Sequence, residues 1–497
     1  MKVFLCISAA LVAACFACPR ACAEETQPLS VKQAIERAVA GNADLRRERV
    51  AVAQAEARHL AAEGQFDVVF DAALASGRAL APPLSCVPIC TESTWVKTTD
   101  LALGLSRRLE TGGSLRLAAT ASRFASAPLS EAAGPGGSIT SSRLALTFSH
   151  PILRGFGTEV TLANLRKARI QQDAAQLGRQ MRACNVLRDV VIAYWELAYA
   201  TQDLAIRRSA LDLAQEQLRI TKALIGVGRL ADADAASVER AIAQRLEDMA
   251  TGEQILFFRS LDLQRLFGVS TEVSSPLLTA TDAPATGAPS VDEAADVGRA
   301  LAANPQLRAL KLGLGLSQAD VTTARSTLRP RLDFTGSVGP VGWKPGLGDS
   351  VRQASGFGAL AWSAGLAFEL PVENRAARGQ MRAAEEELNL AHIDAEDFAV
   401  QLRDLVLRAA RSVRTAGTRV ALGQREVAFA QLNLDAERAR FQAGRATNND
   451  VLLRQQELKD AQTRLLRATV DQNESEAALS AATADILDRY GVVLKGL

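Results

Sequence analysis

The chain has 497 residues, 48% hydrophobic, 23% charged and only 5% aromatic, with 57 Lys+Arg against 55 Asp+Glu and a formal net charge of +2. This near-neutral balance excludes the concentrated basic surface that phosphate binding requires, so no nucleic-acid partner is expected. His59, His150 and His392 stand far apart without metal-ligand or HExxH spacing, and no glycine-rich phosphate loop or nucleophile and base set stands out, so the chain reads as a non-enzyme without cofactor or metal.

Lys2 precedes an apolar run from Val3 to Cys18, the break at Pro19-Arg20 and the small residues Ala21-Cys22-Ala23 before Glu24-Glu25. The pattern predicts a secretory signal over residues 1–23. A lipoprotein signal competes with it, because Val12-Ala13-Ala14 places small residues ahead of Cys15, which would then be lipidated. The run is shorter than the roughly 20 residues that span a bilayer, and no later segment is long and apolar enough for a transmembrane helix. An exported chain of this kind is periplasmic, secreted, or held in the outer membrane by strands.

The predicted elements follow in order. Ser30-Val31-Lys32-Gln33 reads as a capping-box helix start. Strands follow over about 66–151. Val69, Asp71 and Ala73 lie on one alternating side, and Leu144, Leu146 and Phe148 on the returning strand. Between them Leu101-Leu103-Leu105 and Leu115-Leu117-Ala119 form an added pair turning at Glu110-Thr111-Gly112-Gly113. Cys86-Val-Pro-Ile-Cys90 sits in a proline-rich stretch and predicts a small disulfide loop in an oxidising compartment; a redox or zinc pair fits the spacing less well. No proline occurs between Pro151 and Pro276, and good helix formers fill that stretch, so about 160–268 reads as a long helical hairpin reversing at Gly228. Within it Cys184 reads as a packed thiol.

Residues 277–289 read as a linker, after which the same order returns. Ser290-Val291-Asp292-Glu293 is read as a second capping-box start, a β hairpin is expected over about 330–371, and a second long helical hairpin over about 376–491 reverses at Gly444. Leu332, Phe334, Gly336 and Val338 alternate in that β hairpin, as do Trp362, Ala364, Leu366 and Phe368. Asn42-Ala-Asp-Leu45 aligns with Asn304-Pro-Gln-Leu307, Leu146-Thr-Phe148 with Leu366-Ala-Phe368, and Gly228-Arg229 with Gly444-Arg445. This is an internal tandem duplication, with a first structural repeat over 24–276 and a second over 290–497.

The long stretches carry a heptad. Val406, Val413, Val420, Val427, Leu434 and Phe441 recur every seven residues, and Val190, Leu197, Leu204, Leu211, Leu218 and Ile225 do so in the first half. Sustained sevens with small residues between them describe closely packed coiled-coil helices. A helix of roughly 60 residues would be about 90 Å long, beyond any compact globular domain. The strands have one apolar face, as an outer-membrane barrel requires, and two hairpins are too few to close a ring of at least about eight strands. Several copies must share one barrel, and the fold class is mainly α with membrane β.

In this duplicated order the chain resembles the TolC-type outer-membrane efflux family over nearly its whole mature length. Arg440-Phe-Gln-Ala-Gly444-Arg-Ala-Thr-Asn-Asn-Asp450-Val-Leu452 is similar to the family's hairpin-tip motif, and Val227-Gly228-Arg229-Leu230, continuing to Asp234, is its first-half counterpart. The resemblance implies a homotrimer whose chains build one outer-membrane β-barrel, in contact with outer-membrane lipid, and a periplasmic α-barrel tunnel. It implies an exit duct for a tripartite efflux pump or a type I secretion system, fed by an inner-membrane transporter through a periplasmic adaptor protein. It places Gly228, Arg229, Leu230, Gly444 and Arg445 at adaptor-contacting tips, and Asp234 and Asp450 at the periplasmic aperture, with Arg229 or Arg445 as candidate partners for those acids. The chain departs from the family pattern at Phe441, where a tyrosine is often found, at Leu453, and in the added hairpin around Gly112. A periplasmic coiled-coil adaptor or structural protein is the alternative reading; it would carry one hairpin rather than two.

Overall fold

The computed structural model describes residues 26–81, 94–128, 137–269, 276–285, 287 and 291–493. The expected signal with Cys15, and the expected Cys86–Cys90 loop, lie outside the described residues. The chain is mostly helical with a sheet. In order it forms β1 (Thr26–Leu29), α1 (Val31–Gly41), α2 (Ala43–Glu63), β2 (Val69–Ala81), β3 (Thr94–Arg108), β4 (Ser114–Pro128), β5 (Ser138–Pro151), α3 (Thr158–Thr161), α4 (Ala163–Gly226) and α5 (Asp232–Leu266). Then come β6 (Leu277–Ala280), α6 (Glu293–Ala303), α7 (Pro305–Thr327), β7 (Arg331–Lys344), α8 (Leu347–Ser355), β8 (Leu360–Glu369), α9 (Arg375–Gln442), α10 (Asn448–Ala482) and α11 (Ile486–Arg489). The stretch read as a linker thus contains strand β6.

The chain divides into two compact units, each drawn from both halves of the sequence. One comprises Met1–Arg49, Gln180–Asn304 and Val400–Leu497. Its core gathers Leu29, Ile35, Leu187, Val190, Tyr194, Leu197, Leu263, Leu278, Val470 and Ile486. Heptad positions Val190, Leu197, Leu204, Val406, Val413, Val420 and Leu434 are buried, because a seven-residue repeat keeps one seam of a helix turned toward its neighbours. β1 and β6 pair in parallel. The Tyr194 hydroxyl accepts the Asp282 amide at 3.1 Å and lies 2.8 Å from the Asp282 carboxylate, which also accepts the Val31 amide at 2.7 Å. This ties β1, α1 and the end of β6 to α4. Burial pushes the Tyr194 phenol up to about 12 and the thiol of Cys184, a free buried cysteine, up to about 11.

Helix starts follow local chemistry. Ser30 accepts the Gln33 amide while Gln33 Oε1 accepts the Ser30 amide, as the capping-box reading requires. The second start differs from that reading: α6 begins at Glu293, and Asp292, not Ser290, is its cap, its carboxylate accepting the amides of Ala294 and Ala295. A charged acceptor against open amides favours the aspartate.

The other unit comprises Val50–Arg179 and Pro305–Ala399. It is built on a six-stranded antiparallel sheet of order β2-β3-β4-β5-β7-β8. α8 lies on one face of that sheet, with Ser350 and Ala354 buried and the Ser350 and Ser142 hydroxyls 2.7 Å apart. Gly342 permits this contact, since a Cβ there would stand 2.0 Å from the Ser350 carbonyl oxygen. A pocket of about 420 Å³, lined by Leu103, Leu144, Val351 and Phe357 among others, remains between α8 and the strands.

Candidate functional site

The two faces of the six-stranded sheet have opposite chemistry. Because side chains alternate along a strand, the ladder assigns each residue a face. One face carries Phe70 and Leu74 of β2, Leu101, Leu103 and Leu105 of β3, Leu115 and Leu117 of β4, Leu144, Leu146 and Phe148 of β5, Val338 of β7, and Trp362 and Leu366 of β8. All of these large apolar side chains are exposed in the single chain, Leu74 and Trp362 by 74% each. The other face carries Asp71, Asp100, Arg116, Ser122, Arg143, Thr147 and Ser337. An exposed apolar band of this extent is unsuited to water and suits hydrocarbon, with the polar face on the other side of the sheet.

The ladder relates the two alternating sets of the first half. Register pairs Phe70 with Leu105, Leu105 with Leu117, and Leu117 with Leu146, so Phe70 shares the face of Leu144, Leu146 and Phe148, and Val69, Asp71 and Ala73 lie on the opposite one. Asp71 is therefore on the polar face. Its carboxylate takes a hydrogen bond from Arg116 Nη2 at 2.6 Å, passing over β3 at Gly104. A Cβ at Gly104 would lie 2.6 Å from both the guanidinium and the carboxylate, so the absence of a side chain there lets the pair lie directly over β3.

In the helical unit, both long hairpins reverse through the same turn. Gly228 has φ of 72°, its amide bonding the Ile225 carbonyl and the Arg229 amide bonding the Leu224 carbonyl. Gly444 has φ of 71°, with Phe441 and Arg440 as the corresponding acceptors. This is the Schellman arrangement, which needs a left-handed residue and so selects glycine. Phe441 is buried with Leu434, Val451 and Leu458, and Ile220, Leu224 and Leu230 of the first hairpin pack against the same cluster. Its ring is core, and no hydroxyl is available there.

Asp234 and Asp450 occupy matching places at the starts of α5 and α10. Asp450 accepts from the Thr447 amide and hydroxyl at 2.8 Å each, while Thr447 Oγ1 accepts the Asp450 amide. Asp234 accepts the Ala231 amide at 3.1 Å. Among the described residues of one chain, neither acid makes an ion pair with Arg229 or Arg445, because a carboxylate at the third helical position turns back onto its own cap. The bonds from Thr447 hold the exposed Asp450 carboxyl below the usual carboxylate range.

Sequence reasoning missed the polar seam beside these tips. The heptad predicts Leu218 and Ile225 at the seam, but the buried positions there are Gln217 and Thr221. Both donate to Asn448 Oδ1, at 2.8 and 2.9 Å, and Asn448 Nδ2 reaches the Asp234 carbonyl at 3.4 Å. Farther along, buried Arg245 donates to the Ala210 carbonyl at 2.6 Å and to Gln455 at 3.4 Å. Arg467 meets three carboxylates, Glu196 and Asp471 at 2.6 Å and Glu474 at 3.1 Å. Arg467 bonds all three but carries a single charge, and burial raises the Glu474 carboxyl to about 7 against the pull of Arg467, with Glu196 and Asp471 also raising it. The run Asn448-Asn449 inside the tip motif was the available signal for the seam; nothing in the local sequence marks Glu474.

Comparison with known proteins places this geometry. Residues 297–485 match the family model described as outer membrane efflux protein. Nodulation protein T of Rhizobium leguminosarum bv. trifolii is 22% identical over 329 residues, 64% of this chain and 67% of that one. Outer membrane efflux protein BepC of Brucella suis biovar 1 is 24% identical over 345 residues, 69% and 72% of the two chains. In fold, the chain is similar to the outer-membrane channel OprN, with a TM-score of 0.66 at 17% identity and coverage of 91% and 89%. It is also similar to the Campylobacter jejuni CmeC outer membrane channel, with a TM-score of 0.63 at 14% identity and coverage of 91% and 85%. Taken with the sheet that presents one apolar face and the helices that reverse at paired glycines, these matches lead to one conclusion: residues 297–485 are similar to outer membrane efflux proteins, the chain has the fold of outer-membrane channels, and it resides in the outer membrane with a helical periplasmic part.

Proposed function

We propose that three copies of this chain form the exit duct of a tripartite efflux pump or type I secretion system, passively conducting substrates that an inner-membrane transporter and a periplasmic adaptor deliver. The observation that carries this reading is the six-stranded sheet, apolar on one face and polar on the other, whose outer strands β2 and β8 have no second partner among the described residues. Open strand edges inside hydrocarbon are not tolerated, so other copies complete the ring. Among the described residues no helix is long and apolar enough to cross a membrane.

The tandem duplication supports the same reading. Asn42 donates to the Leu266 carbonyl at 2.8 Å and Asn304 to the Ala482 carbonyl at 3.2 Å, so aligned asparagines each hold the end of a returning helix. Two repeats per chain supply two hairpins, and three chains supply six, enough to enclose a passage. Gly228, Arg229, Leu230, Gly444 and Arg445 at the reversals are the surface offered to the adaptor. Asp234 and Asp450 are the acids of the aperture, their caps fixing where three copies of each charge stand. The export signal over 1–23 belongs to this reading as well.

Purified full-length protein tests it. Native mass spectrometry is expected to find three chains per particle, and planar bilayers to show discrete cation-preferring channels. A water-soluble monomer without channel activity would sink the duct.

A further inference from the structure

The added hairpin β3–β4 is part of the sheet's continuous ladder, and this bears on the width of the duct. β3 pairs along its length with β2 on one side and β4 on the other, and β4 in turn pairs with β5. β2 and β5 are therefore not neighbours; two full strands separate them. Leu101, Leu103, Leu105, Leu115 and Leu117 continue the apolar face across the hairpin. On the polar face, Arg116 of β4 reaches over Gly104 of β3 to Asp71 of β2, so one ion pair ties three successive strands. The turn is anchored too: Gly112 has φ of 102°, the Gly157 amide donates to the Thr111 carbonyl at 3.1 Å, and the His150 ring lies 3.0 Å from the Thr111 hydroxyl. A hairpin folded against the outside of a finished wall would share neither the ladder nor both faces.

We infer that β3–β4 is a permanent part of the barrel wall, that β2 of one chain pairs with β8 of the next, and that three chains close a barrel of eighteen strands. This rests on the trimeric duct proposed above. Without the added hairpin, β2, β5, β7 and β8 of three chains would give twelve. At about 4.8 Å between strands and a tilt of about 40°, eighteen strands make a ring about 36 Å across its backbone, against about 24 Å for twelve. Barrels of 16 to 18 strands leave a water-filled channel. The membrane part of this duct is accordingly as wide as a general porin, and bulky hydrated cargo leaves it without being sieved there; any size limit is set by the helical part.

Electron cryo-microscopy of the full-length protein in lipid nanodiscs, with the chain count taken from native mass spectrometry of the same preparation, tests the inference. Three chains and eighteen strands are expected. Three chains with a twelve-stranded ring would overturn the inference and leave the duct standing, whereas a count other than three would overturn the duct reading and this inference with it. Spin labels provide a second measurement that needs no image. At Leu117→Cys, on the apolar face away from α8, in a background with the native cysteines replaced, the label is expected to be quenched by lipid-soluble oxygen; at Ser122→Cys, by a water-soluble nickel chelate. Water access at both positions would place the hairpin outside the wall and refute its inclusion.

Discussion

The Gln217 side-chain amide of α4 donates to Asn448 Oδ1 across 2.8 Å, with both groups buried. The first hairpin is thereby fastened to the second at the first residue of α10, beside the cap formed by Thr447. Asn448→Leu leaves the Gln217 amide and the Thr221 hydroxyl buried without that acceptor, a cost of about 1–3 kcal/mol. Amide exchange at residues 217–230 and 444–455 should accelerate by roughly tenfold to a hundredfold. Unchanged protection would show that the seam contributes nothing to holding the tips.

The reversal glycines should resist replacement for a backbone reason. Gly444→Ala and Gly228→Ala place a Cβ on a left-handed residue at a cost of about 1 kcal/mol each. Gly226→Ala is the control: it has no positive φ, and open space surrounds its added methyl. Limited proteolysis is expected to cut the first two variants faster at the tip than the control. Equal cutting of all three would remove the conformational explanation.

Glu474 gives the helical unit a pH dependence of definite sign. Its carboxyl titrates near 7 when folded, against 4.5 ordinarily, so folding favours the protonated form. The associated stability is complete below about 4.5 and is lost as pH rises through about 7. Glu474→Gln, which keeps the neutral shape, should therefore be more stable than the native chain at pH 8, by on the order of 2 kcal/mol, and equal to it at pH 4.5. Denaturation curves of the two proteins at both pH values decide the matter; a constant difference would mean that Glu474 is ionised throughout.

The aspartates of the tips should act together. Replacing both Asp234 and Asp450 with Ala removes three hydrogen bonds to the caps and two charges per chain. In planar bilayers the trimer of this variant is expected to conduct more and to prefer cations less. Because the Thr447 bonds hold Asp450 below the usual carboxylate range, cation preference in the native protein should persist as pH falls past the ordinary value and disappear only in stronger acid. Native conductance and selectivity in an intact double-variant trimer would restrict both residues to capping.

Spacing along the chain determined much of this protein, because helices, turns and strands obey local rules. The sevens of Val406, Val413 and Val420 are buried as the period requires, and Gly228 and Gly444 turn where an L side chain would be strained. The alternating leucines of β3 and β4 likewise announced an apolar face. What depended on a partner distant in sequence was not legible. Which parity of β2 faces lipid depends on the register with β3, and a one-residue difference would exchange Asp71 for Phe70. That the added hairpin lies within the wall depends on ladders to β2 and β5. Gln217 and Thr221 interrupt an apolar seam because Asn448, far along the chain, supplies their acceptor. Glu474 is lifted to about 7 by burial first, and then by Glu196 and Asp471, which converge with it on one arginine; burial and long-range charge have no local signature, and only the folded chain sets them.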